Sequence, residues 1–61
     1  PTLEPTSEQV WMRLMELGYV MQDSEYSDES YIAALTNFQI DMNLEPTGFA
    51  DEETLMYLFY E

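Results

Sequence analysis

The segment Asn43-Leu44-Glu45-Pro46-Thr47-Gly48 constrains this chain more than any other, because it separates two helical patterns and can continue neither. Before it, Tyr31, Leu35, Phe38 and Met42 recur at i, i+4, i+7 and i+11, the apolar stripe of a helix of about three turns. Asn43 suits a left-handed residue after the last turn, from which Leu44 can fold back onto the stripe. Pro46 lacks the N–H that a helix needs, and Gly48 is free to take positive φ, so the segment reads as a turn. Asp51 then restarts a helix as its N-cap. Glu52 and Glu53 occupy the first turn, and Leu55 and Leu58 its inner face.

The preceding half supplies one more helix. Residues 1–6 read as a linker or tag remnant, with two prolines, two threonines and no periodicity. Ser7 is the expected N-cap; Val10, Leu14 and Leu17 follow at helical spacing, and Gly18 closes the element. Trp11, beside this stripe, reads as half-buried packing rather than a platform for a ligand. Tyr19 to Ser27 is a loop, and Ser27 or Asp28 can cap the helix after it. The expectation is one all-α domain over residues 7–61, a compact three-helix bundle with helices near 8–17, 28–42 and 52–60. Its core is expected to comprise Val10, Leu14, Leu17, Leu35, Phe38, Leu44, Leu55 and Leu58. Met56, Tyr57, Phe59 and Tyr60 leave more apolar surface than the last helix can bury, which reads as a contact with a neighbouring module or another copy.

Charge and missing residue types exclude several functions. The formal charge is −12, with Arg13 the only cation, so the chain cannot displace counterions from nucleic acid or bind an anionic membrane surface. Six of the thirteen acids (Glu8, Asp28, Glu29, Asp51, Glu52 and Glu53) fall at helix starts, where they complement the helix dipole. The others read as a solvated surface. Neither cysteine nor histidine is present, and with no lysine either, no hydroxyl has an activating base. Asp23, Glu25 and Ser27 alternate as in a calcium loop, yet Asp28 and Ala34 stand where such a loop needs Gly and Glu. No metal, cofactor or catalytic centre is expected.

The pattern Ala33-Ala34-Leu35-x-x-Phe38-Gln39, followed by Leu44-x-Pro46-Thr47-Gly48-x-x-Asp51-x-x-Thr54-Leu55, resembles the bacterial peptidoglycan-binding domain. Val10, Leu14 and Leu17-Gly18-Tyr19 are similar to that family's first helix and its exit. The resemblance implies a three-helix fold and a non-catalytic cell-wall module that positions a larger extracytoplasmic protein, in the envelope or secreted, against peptidoglycan or its muropeptides. It departs from the family pattern in the first loop, which has no glycine, and at Asp28, where the family carries a second one. The alternative is a spacer or interaction domain that kept the fold, lost glycan binding and meets a protein partner or neighbouring domain.

Ligand contact, where it exists, is expected beside this loop and the start of the second helix, at Tyr19, Gln22, Tyr26 and Asp28, with Gln39 as a further neighbour. The loop is the longest irregular segment, and its tyrosines combine an apolar face with a polar tip. Two bland alternatives stand beside this. The tyrosines can simply cover the core, and Gln39 can hydrogen-bond the backbone of a loop.

Overall fold

Three helices and no strand make up the described residues, 5–60, of this computed structural model. They are α1 (Ser7–Glu16), α2 (Asp28–Asp41) and α3 (Glu52–Phe59). This is the expected all-α three-helix bundle, with each helix ending one residue before the expected terminus. Residues 1–4 of the expected linker, and Glu61 of the expected domain, lie outside the described residues.

Local chemistry accounts for the three helix starts and for the ends of α1 and α2. The N-cap of α1 is Thr6, not the expected Ser7. The Thr6 hydroxyl accepts from the Gln9 N–H at 3.2 Å, and the Gln9 side chain accepts from the Thr6 N–H at 2.8 Å. That reciprocal pair needs Gln three residues after the cap, which Thr6 has and Ser7 lacks. Ser27 caps α2 through the Ser30 N–H, and Asp51 caps α3 through the Thr54 N–H. Both α1 and α2 end on a left-handed residue, Gly18 at φ 93° and Asn43 at φ 65°. After α1, Tyr19 N–H donates to Leu14 and Gly18 N–H to Met15. After α2, Leu44 N–H donates to Gln39 and Asn43 N–H to Ile40. These crossed pairs satisfy carbonyls that a bare helix end leaves open.

Val10, Leu14, Ala34, Leu35, Phe38 and Leu58 form the core. Tyr19, Tyr31, Met42 and Leu55 pack on it partly buried. Three expected core residues differ, of which Leu55 packs on the core only partly buried. Leu17 is 37% exposed, because as the C-cap of α1 it sits where the chain leaves the helix axis. Leu44 is half-buried, held by its backbone bond to Gln39 rather than sunk in the core. Helix α1 packs against both other helices. Its Arg13 Nε donates to the Leu58 carbonyl at 2.8 Å, placing the cation at the C-terminal end of α3, where the helix dipole is negative. On α2 the expected stripe of Tyr31, Leu35, Phe38 and Met42 faces the core, Gln39 is buried beside it, and Ile32 and Ile40 are exposed.

Candidate functional site

The turn between α2 and α3 is built around one buried amide. Gln39 is fully buried, and its side-chain oxygen accepts the Gly48 N–H at 2.9 Å. Its amide nitrogen donates to the Phe49 carbonyl and the Thr54 hydroxyl, both at 2.9 Å, and to the Thr47 hydroxyl at 3.2 Å. Gly48 is buried at φ 79°, and a Cβ there would lie 3.0 Å from Ile32 Cγ2 and 3.3 Å from Thr36 Oγ1. The Thr54 hydroxyl and backbone N–H hold the Asp51 carboxyl below the ordinary carboxylate range. Gln39, Thr47, Gly48, Asp51 and Thr54 therefore act together as the frame of a turn. Gln39 has no surface to offer a ligand, and the bond to loop backbone is the role it fills.

The other four expected site residues are at the surface but not on one face. Tyr19 stands edge-on to Phe38, with ring centroids 5.6 Å apart and planes at 86°. Its hydroxyl donates to an Asp41 carboxylate oxygen at 2.6 Å. That hydrogen bond, with partial burial and the Asp41 charge, pushes the phenol up to about 12. Tyr26 packs elsewhere, 5.1 Å from Trp11 in an edge-to-face pair and 5.8 Å from Tyr31. Its hydroxyl reaches Asp28 at 3.3 Å, and its pKa is raised by desolvation and then by the Asp28 charge. Gln22 is exposed on the turn closed by Ser24 N–H to the Met21 carbonyl. Trp11 is 6% exposed, which makes it the packing residue expected.

Each tyrosine borders its own concavity. Tyr26, Trp11, Met12, Met15 and Glu8 flank a groove of about 650 Å³ on the outer side of α1. Tyr19 flanks a smaller depression of about 250 Å³ between the loop and α2, bounded by Val20, Ser24, Ser30, Ala33 and Asn37. Sequence reading missed Ser30, Ala33 and Asn37, although their spacing places them on one face of α2. A larger concavity, about 1000 Å³, lies by Arg13, Glu16 and Phe59. There Arg13 is already engaged by the Leu58 carbonyl and by Glu16 at 3.4 Å. No group of acidic side chains among the described residues is arranged to hold a metal ion.

Compared with protein families, the chain matches the model of the peptidoglycan binding domain over residues 4–58. Compared with curated proteins and with solved structures, the chain has no match.

Proposed function

The chain belongs to the peptidoglycan-binding domain family, and from that premise we propose that it is a non-catalytic module that holds a larger extracytoplasmic protein against the cell wall. The family match over residues 4–58 carries this reading. Absence of histidine, cysteine and lysine from the sequence supports the non-catalytic part. Ligand contact is assigned to the first loop and the start of α2, through Tyr19, Gln22, Tyr26 and Asp28. Gln39 acts from behind, as the buried brace of the next turn rather than a contact. In this reading tyrosine rings meet the apolar faces of sugars, and nearby amide and hydroxyl groups meet their polar rims.

The exposed apolar surface at Met56, Tyr57 and Tyr60 favours a second reading, a protein-docking or spacer domain that no longer holds glycan. The charge of −12 points the same way, since wall polymers are themselves anionic. Co-sedimentation of the chain with purified sacculi separates the two. Saturable binding supports the wall module; none in low or high salt leaves the docking reading.

A further inference from the structure

The depression beside Tyr19 carries no charge on a strongly acidic chain. Tyr19, Val20, Ser24, Ser30, Ala33 and Asn37 bound it, and no lining residue is acidic or basic in a chain whose net charge is −12. Its floor is apolar and shallow because Ala33 and Ala34 add only methyl groups to α2 at that point. Its rim is polar. Ser30 Oγ accepts from Ser27 Oγ at 3.0 Å, which leaves the Ser30 proton to donate outward, and Asn37 is exposed on the same helix. One wall is the Tyr19 ring, oriented by Phe38 at its edge and by Asp41 at its hydroxyl.

Resting on the wall-binding reading, we infer that this depression seats one uncharged N-acetylated amino sugar of the glycan strand, and that the peptide stems stay outside it. Size, chemistry and electrostatics agree on this class. About 250 Å³ lies below the usual range for a drug-sized ligand and suits one ring rather than an oligomer. An N-acetylated pyranose offers C–H faces and a methyl to the alanine floor and Tyr19 ring, and hydroxyls and an amide to Ser24, Ser30 and Asn37. Free carboxylates on peptide stems are repelled by the surrounding acids, whereas a neutral sugar is not. The Tyr26 groove fits this class less well, since the Glu8 carboxylate lines it.

The test is an NMR titration of the ¹⁵N-labelled chain with the β-1,4-linked tetramer of N-acetylglucosamine, and separately with a free stem peptide, run beside sacculus co-sedimentation. Ala33→Tyr fills the depression from an exposed helical position, and its thermal melt reports whether the fold is intact. Expected are amide shifts at Ser24, Ser30, Ala33 and Asn37 with the tetramer and none with the peptide. Ala33→Tyr should weaken both tetramer and sacculus binding by about tenfold or more. Should Ala33→Tyr unfold the chain, Asn37→Ala is read in its place. Sacculus binding that survives either folded variant unchanged overturns the subsite and leaves the wall-binding reading intact. Shifts that gather at Tyr26 and Trp11, or that appear with the peptide alone, overturn it too. Failure of the unaltered chain to bind sacculi at any salt concentration removes the wall-binding reading itself, and the subsite with it.

Discussion

Gln39 in α2 accepts the backbone N–H of Gly48 at 2.9 Å, nine residues on and buried on both sides. One carboxamide thereby takes the place of the ladder bonds that the ten-residue connection between α2 and α3 cannot make for itself. Removing it strands the Gly48 N–H in the interior and takes a donor from the Thr54 hydroxyl. Gln39→Ala should therefore lower stability by about 2–4 kcal/mol. Urea unfolding with an unchanged slope and a midpoint within error of the parent would refute the role.

Gly48 and Gly18 both have positive φ, yet they differ in surroundings. An added Cβ at Gly18 meets nothing within 4 Å, while at Gly48 it meets Ile32 at 3.0 Å. Gly18→Ala should cost about 1 kcal/mol from backbone strain alone, and Gly48→Ala about 2 kcal/mol or more. Thermal melts of the two variants check the order, and equal losses would contradict the close approach at Gly48.

Asp51→Ala should cost about 1 kcal/mol at neutral pH and lower Tm by several degrees. The Asp51 carboxyl is held below its ordinary range in the folded chain, so its contribution is complete above the ordinary carboxylate pKa. That contribution disappears as pH falls through the folded value. Parent and variant should thus differ near neutrality and converge as pH falls below the ordinary carboxylate range. A gap of constant size across that range would rule out the charged cap.

Tyr19 should ionise late, with a pKa of about 12 against an ordinary 10.0. Its hydrogen bond to Asp41 favours the protonated phenol, so that contribution is complete below pH 10.0 and lost as pH rises through about 12. Asp41→Asn removes the charge and weakens the bond, and the Tyr19 pKa should fall toward 10.0. Ring resonances followed through an alkaline titration provide the measurement. An unmoved Tyr19 would exclude Asp41 as the cause.

Added sodium chloride should raise Tm. Thirteen carboxylates face one arginine, and Arg13–Glu16, at 3.4 Å and solvent-facing, is the one ion pair among the described residues. Screening such an imbalance relieves more repulsion than it removes attraction. A Tm that drops between low and molar salt would reverse that balance.

Much of the bundle is legible in the sequence because its signals are local. Leu35 and Phe38 share a face by helical spacing, Asn43 and Gly18 end helices by tolerating positive φ, and Asp51 starts one by reaching its own third amide. Thr6 was obscured by Ser7 beside it, since either hydroxyl can cap and the neighbouring Gln9 decides between them. The candidate site is legible only in outline. Its loop is identifiable by irregularity, but Tyr19 and Tyr26 diverge because Phe38 and Asp41 hold one ring while Trp11 and Tyr31 hold the other. Gln39 belongs to the interior because Thr54, fifteen residues on, returns to meet it on a different helix. Backbone preference acts between near neighbours, and so the chain by itself determined three capped helices and their order. Which polar groups are buried and which face outward depends on partners far apart in sequence, and the tertiary packing decided that.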